Sequence, residues 1–227
     1  MIPDRAVLRL PFSGTWLARN SPARRVPSHG TDLFATTYAM DFIAVHGRRT
    51  ATRRDWRMLL TTEPVDRFFA FGLPILAPGA GTVVSVHEGE PDHVARRSQL
   101  ALLSYAATQA ARVRRGAGAI AGNHVIIELA GGGVYVVLAH LRTGSIRVRK
   151  GEPVAAGQEV GACGNSGNST QPHVHIQVMD SADPYTARGV PMSFRDYRVW
   201  PPRGSVTVVG QGIPHESEVV EPLSTTF

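Results

Sequence analysis

Two histidines separated by one residue, His173 and His175, have the spacing in this sequence that most directly suggests chemistry. In an extended strand the side chains of residues i and i+2 point to the same face, so the two imidazoles can converge on one point. Imidazole nitrogens bind metal ions and transfer protons near neutral pH. The turn-forming run Gly164-Asn-Ser-Gly167 would deliver that strand from a tight loop. The pair alone is equally consistent with two partly buried strand histidines, so other residues must decide.

Three further groups extend the pair to a possible catalytic set. Asp41 lies inside the apolar pattern of residues 37–45, where a carboxylate is costly unless it is paired or binds a metal. His29 precedes this strand, and His140 ends a predicted central strand. Zinc in hydrolytic sites has three nitrogen or oxygen ligands and a water molecule, and two histidines with one carboxylate are a common set. Five groups exceed that set by two, which suits a general base and an oxyanion stabiliser.

The elements that must position these groups are mainly β-strands. The 23 glycines and 16 prolines predict many turns, and short apolar strand patterns recur along the chain. One helix is predicted over residues 92–113, with Asp92 as its N-cap and Gly116 and Gly118 at its end. It is expected to belong to an insertion, residues 88–121, on the outside of the sheet system. A single domain is predicted over residues 1–210, followed by an irregular tail over residues 211–227.

Composition narrows the classes of partner. The net charge is +6, but the basic residues are one lysine and scattered arginines without a long run, so no specific nucleic-acid site is predicted. The basic balance still allows a weak attraction to an anionic polymer such as an acidic cell-wall matrix. Cys163 is the only cysteine, which excludes an internal disulfide and a thiolate metal cluster. A monomer is expected.

The N-terminal residues lack the apolar stretch of a signal peptide, and no segment approaches ~18 consecutive apolar residues, so no transmembrane segment is predicted. The sequence as it stands therefore predicts a cytoplasmic protein. An extracellular or cell-wall location is expected instead if the start site is misassigned.

Five motifs, in this order, resemble those of the lysostaphin/LytM-type zinc metallopeptidases. They are Tyr38-Ala-Met-Asp41-Phe, Val136-Val-Leu-Ala-His140-Leu, Gly151-Glu-Pro-Val-Ala-Ala-Gly-Gln-Glu-Val-Gly161, Gly164-Asn-Ser-Gly167 and Pro172-His-Val-His175. The resemblance implies an antiparallel β-sheet groove with barrel-sandwich-like hairpins. It also implies a zinc metalloendopeptidase that hydrolyses peptide bonds in peptidoglycan cross-links or stem peptides, or in another peptide substrate.

Carried over residue by residue, the resemblance implies that His29, Asp41 and His175 bind Zn²⁺ and that His140 and His173 are the catalytic histidines. One feature departs from the better-known members, in which the first histidine stands four residues before the aspartate. Here 12 positions separate the two residues, and position 37 is a threonine.

The remaining histidines have no such spacing. His46, His87, His93 and His215 are predicted to be surface or satisfied polar residues. His124 begins a strand and could lie near the groove, although a structural role is the simpler expectation.

Two alternatives come from other functional classes. The glycine-bounded segment 151–161 also resembles the hairpin of biotinyl or lipoyl carrier domains and of phosphotransferase carriers. A carrier needs a modifiable lysine at its hairpin tip or a phosphorylatable histidine without a metal set, and Lys150, the only lysine, is not at such a tip. The second alternative is a catalytically inactive binding or regulatory module built on the peptidase fold, which would act by contact with a partner.

Overall fold

A computed structural model describes residues 4–52, 62–96 and 116–223, and β-strands dominate it. The mainly-β prediction is therefore confirmed. The strands are β1 (Ala6–Leu8), β2 (Trp16–Arg19), β3 (Met40–Ala44), β4 (Pro74–Leu76), β5 (Gly81–His87), β6 (Asn123–Leu129), β7 (Tyr135–Leu141), β8 (Pro153–Val154), β9 (Glu159–Ala162), β10 (Val174–Met179), β11 (Met192–Trp200), β12 (Thr207–Gly212) and β13 (Val219–Pro222).

Eleven of these strands form one sheet, in the order β1-β11-β13-β2-β3-β10-β7-β6-β5-β8, with β12 also paired to β11. Neighbours are antiparallel except for β1 and β11, which are parallel. β4 and β9 pair in a separate two-stranded sheet. The central strands β3, β10, β7 and β6 lie side by side, and they carry the residues that the sequence singles out.

Side chains alternate between the two faces of these central strands, as the period of two requires. One face packs into the main hydrophobic core, with Phe42, Ile176, Leu138 and Ile127 fully buried in it. The opposite face carries polar groups at the positions between them, including Asp41 on β3. Alternation thus places an aspartate within an apolar strand without placing it in the main core.

The structure describes only part of the segment predicted to be helical. Most of the segment predicted as helix, residues 97–113 of the predicted 92–113, lies outside the described residues. Residues 92–96 are not helical, so Asp92 is not an N-cap. Its carboxylate instead accepts hydrogen bonds from the backbone N–H groups of Thr143 and Asn165, at 3.0 and 2.6 Å.

One α-helix, α1 (Ala117–Ala121), lies within the described part of the insertion, with Gly118 inside it rather than at the end of a longer helix. 3-10 turns cover Leu33–Tyr38 and Val65–Arg67. Among the helices of the described ranges, none has the length and apolar character needed to cross a membrane.

The prediction of an irregular tail after residue 210 was wrong. β12 extends to Gly212, and β13 lies inside the large sheet, between β2 and β11. Val219 and Val220 are buried and pair with Leu17 and Trp16 of β2. The strand is only four residues long and ends in proline, so its local pattern is weak, and pairing with distant residues decides its conformation.

Candidate metal centre

His29, Asp41 and His175 meet at one end of the polar face. One ligand atom from each residue lies within 4.8 Å of the others. Asp41 and His175 are direct cross-strand partners in the β3–β10 pairing, and the Nδ1 atom of His175 lies 2.9 Å from Asp41 Oδ1. The Nε2 atom of His29 lies 3.2 Å from Asp41 Oδ2. Two imidazoles and a carboxylate at this spacing form a donor set that zinc prefers.

The loop before β3 explains how a histidine 12 positions from the aspartate reaches it. The backbone N–H of Ser28 donates to the carbonyl of Thr37 at 2.9 Å, and the Ser28 hydroxyl donates to the carbonyl of Thr36 at 3.2 Å. These bonds close the intervening residues into a loop. They hold Ser28 beside Thr37, which lies four residues before Asp41. His29 consequently stands next to the place that the first histidine of the better-known members would occupy.

Gln177 determines which nitrogen of His175 faces the carboxylate. Its Nε2 atom donates to the carbonyl of Phe34 at 2.7 Å, so its Oε1 atom faces His175 Nε2 at 2.9 Å. Because an amide oxygen only accepts hydrogen bonds, His175 carries a proton on Nε2, and the neutral ring presents a lone pair on Nδ1 to Asp41. Two lone-pair atoms this close need a cation between them. A metal ion or a second proton meets that requirement, so the residues fit a metal ion.

Charge around the carboxylate agrees with this arrangement. Burial alone would raise the pKa of Asp41, but the charges of His29 and His173 and hydrogen bonds from His175 and His29 hold it well below its ordinary value. Burial lowers the pKa of His175, yet the hydrogen bond and charge of Asp41 raise it above its ordinary value. Asn20, which the sequence analysis missed, donates its Nδ2–H to Asp41 Oδ2 at 2.7 Å. Asp41 is thus ionised and fixed on both oxygens.

His140 reaches the site through a bulge in β7. Between the paired positions Asn123–Leu141 and Val125–Leu138, β6 has one residue and β7 has two, Ala139 and His140. His140 has a φ of 61°, a left-handed conformation that histidine adopts more readily than most residues. Simple alternation would turn His140 towards the main core beside Leu138. The bulge instead lets both Ala139 and His140 line the cleft.

His140 and His173 form a second pair, with ring centroids 4.7 Å apart. The Nδ1 atom of His140 donates to the carbonyl of Ser166 at 2.9 Å, and that of His173 donates to the carbonyl of Gln171 at 2.8 Å. Each neutral ring therefore has an unprotonated Nε2 atom. Burial, with the nearby positive charges of the other site histidines, lowers the pKa of His140 well below its ordinary value, and burial also lowers that of His173. Both are neutral bases at pH ~7.

The Gly164-Asn-Ser-Gly167 loop, identified from sequence as a turn, supplies the carbonyl that holds His140. The Ser166 hydroxyl accepts the N–H of Asn123 at 3.0 Å and donates to the carbonyl of Leu141 at 2.8 Å. A Cβ atom on Gly122 or Gly167 would lie 2.7 Å or less from atoms of the facing loop, so only glycine permits this approach. The loop is thereby fixed against β6 and β7.

These residues lie in a cleft of about 460 Å³. Its floor is apolar, with Ile126, Val137 and Ala139 in a buried cluster separate from the main core. All five predicted site residues line it, and so does His124. The other histidines lie elsewhere. His46 and His215 are exposed, His93 binds the carbonyl of Gly167 at 2.9 Å, and the ring of His87 stacks on that of His124.

Parts of this chain are similar to known proteins. The peptidoglycan DD-endopeptidase ShyA of Vibrio cholerae is 36% identical over 75 residues, which are 32% of this chain and only 17% of ShyA. The catalytic domain of the prophage-encoded M23 protein EnpA from Enterococcus faecalis, solved as a mutant, is 22% identical with a TM-score of 0.39, over 67% of this chain and 73% of that one. The catalytic domain of lysostaphin from Staphylococcus simulans is 20% identical with a TM-score of 0.38, over 67% and 74% of the two chains.

A family profile covers more of the chain. Residues 62–187, more than half of the sequence, match the profile of peptidase family M23. The matched span contains His140, His173 and His175, whereas His29 and Asp41 precede it. The resemblance inferred from the ordered motifs is confirmed, and the chain belongs to peptidase family M23.

Proposed function

We propose that this protein is a zinc-dependent endopeptidase that hydrolyses peptide bonds in peptidoglycan cross-links or stem peptides. The observation that carries the proposal is the convergence of His29, Asp41 and His175 beside the second histidine pair. Family membership supports a peptidase, and the partial likeness to a peptidoglycan DD-endopeptidase supports the substrate class.

His29 Nε2, the Asp41 carboxylate and His175 Nδ1 would hold the zinc ion. When bound, zinc lowers the pKa of a water molecule to ~7 and polarises the carbonyl that is attacked. Gln177 keeps the Nδ1 atom of His175 available because its Oε1 atom accepts a hydrogen bond from the Nε2–H group, and Asn20 orients the carboxylate. Such outer partners commonly tune metal affinity.

The second histidine pair, His140 and His173, would transfer the protons. Hydrolysis adds a water oxygen to the carbonyl carbon, breaks the C–N bond and moves one proton from water to the leaving amine. The unprotonated Nε2 atoms of His140 and His173 can accept that proton, because both Nδ1 atoms are already bonded to backbone carbonyls. A ring that has accepted it then donates a hydrogen bond to the developing oxyanion and returns the proton to the amine.

The test combines metal analysis with digestion of purified peptidoglycan sacculi. Wild-type protein is expected to carry about one zinc ion per chain and to release soluble fragments with new amino termini. His175→Ala is expected to lose both the metal and the activity, while His215→Ala, a change at an exposed histidine, keeps both. Zinc-loaded protein that binds sacculi without cleaving them would favour the inactive binding module instead.

A further inference from the structure

His124 is a cleft residue that neither the proposed ligand set nor the catalytic pair includes. It is 9% exposed and lines the same cleft as His140 and His175. It lies on β6 opposite the bulge that carries His140. On the same strand and the same face is Ile126, part of the apolar floor.

The ring of His124 is held in one orientation, and its Nε2 atom has no hydrogen-bond partner among the described residues. Its Nδ1 atom lies 2.7 Å from the carbonyl of Gly122, which can only accept, so Nδ1 carries the proton. The ring stacks on His87 with centroids 5.2 Å apart and an interplanar angle of 20°. Burial, with the nearby charge of His87, lowers the pKa of His124, so the ring is neutral and its Nε2 atom is a hydrogen-bond acceptor. His140 and His173 are held by backbone carbonyls in the same way.

The sheet register gives the position of His124 relative to the candidate metal centre. His175 pairs with Ala139 on β7, and His124 faces Ala139 and His140 from β6. Two strand spacings therefore separate His124 from His175, which is roughly 10 Å or about three residues of extended peptide. Ala139, Val137 and Ile126 form an apolar floor along this path.

We propose that His124 is a substrate-positioning residue whose Nε2 atom accepts a hydrogen bond from a backbone N–H of the bound peptide, about three residues from the bond that is cut. The inference rests on the proposed function and deepens it. A peptide that crosses the apolar floor has backbone N–H groups to satisfy, and a rigid, neutral acceptor at the far end of that floor fixes its register.

A matched pair of substitutions distinguishes the roles of the two ring nitrogens of His124. His124→Asn retains a polar atom near the Nδ1 position and loses the acceptor at Nε2, whereas His124→Gln places an amide oxygen near the Nε2 position. With muropeptides purified from sacculi as the substrate, His124→Asn is expected to raise KM about three- to tenfold with little change in kcat. His124→Gln is expected to stay near the wild-type KM. Zinc content and melting temperature are expected to be unchanged in both variants.

Equal KM values for the wild type and His124→Asn would overturn the inference. A fall in kcat, zinc content and melting temperature together, not rescued by glutamine, would also overturn it, because that pattern marks a purely structural residue. If wild-type protein cleaves none of the muropeptides, the proposed function fails separately. Calorimetric binding of the same muropeptides then tests His124, and equal affinities for wild type and His124→Asn would reject its role.

Discussion

The two histidine-containing halves of the cleft are held by different parts of the molecule. In the half with the proposed zinc ligands, called the ligand half, side chains fix the geometry, since Asn20 binds Asp41 and Gln177 binds His175. In the half with the proposed catalytic pair, called the catalytic half, backbone carbonyls hold His140 and His173 from two loops of the same 164–172 segment. The ligand half can therefore be altered one side chain at a time, whereas the tautomers of the catalytic half depend on loop conformation. Metal affinity and proton transfer should thus be separable by mutation.

The largest expected effect is in the ligand half. Asp41→Asn retains the shape of the side chain but removes the negative charge that three histidines face. We expect zinc affinity to fall by more than about 100-fold, beyond the range typical of outer-shell changes, and hydrolysis to be lost. Competition with a chromophoric chelator measures the affinity. Asp66→Asn, at an exposed position, is the matched control and should behave as wild type.

Next in size is the effect of removing either histidine of the proposed catalytic pair. His140→Ala and His173→Ala are each expected to lower kcat about 10²- to 10⁴-fold while zinc stoichiometry stays the same, because neither ring is assigned to the ion. Zinc analysis and sacculus digestion on the same preparations measure the two quantities. Loss of zinc in these variants would show that the two halves are not separable.

A smaller effect is expected at Gln177, which links His175 to the carbonyl of Phe34. Gln177→Ala removes the acceptor that fixes the tautomer of His175, so zinc affinity should fall about 10- to 100-fold. Activity should return when excess zinc is supplied, which distinguishes weakened binding from damaged catalysis. Activity that stays low at saturating zinc would place Gln177 in the chemistry itself.

The smallest effect concerns acid stability. Burial lowers the pKa of His140 in the folded protein, so below about pH 6.5 the unfolded chain binds more protons than the native state. The free energy of unfolding of metal-free protein should therefore fall from about pH 7 to about pH 5. His140→Gln removes this group and should make that fall less steep. Urea unfolding at several pH values measures the free energy of unfolding. His215→Gln is the control, and its free energy of unfolding should depend on pH as that of the wild type does. His175, whose pKa is raised, acts in the opposite direction.

Sequence reasoning located the parts of this arrangement that local spacing encodes. The i, i+2 rule placed His173 and His175 on one face, and the cost of a buried carboxylate singled out Asp41. The same rule extended by two residues would have found Gln177. The position of His29 before the strand made it a candidate, but its assignment as a ligand required the family resemblance. Hydrogen bonds from Ser28 to Thr36 and Thr37 bring His29 close to Asp41.

Other features depend on pairing between distant strands and had no local signal. The bulge at His140 is visible only in the register between β6 and β7. Asn20 reaches Asp41 from the end of the neighbouring strand. β13 is a short segment that pairs with β11 on one side and with β2 on the other, and β2 lies about 200 residues away along the chain.

That pairing of β13 with β2 has a consequence for how the protein folds. Ser21, next to Asn20, is bound by Pro214 and Glu216, so the neighbourhood of the carboxylate is completed by residues from far along the chain. Contacts of such large sequence separation slow folding, because a long loop must close before they form. During synthesis, β2 and the adjacent Asn20 cannot be joined by β13 before the ribosome has translated residue 220. A nascent chain is therefore expected to acquire the proposed hydrolytic activity late.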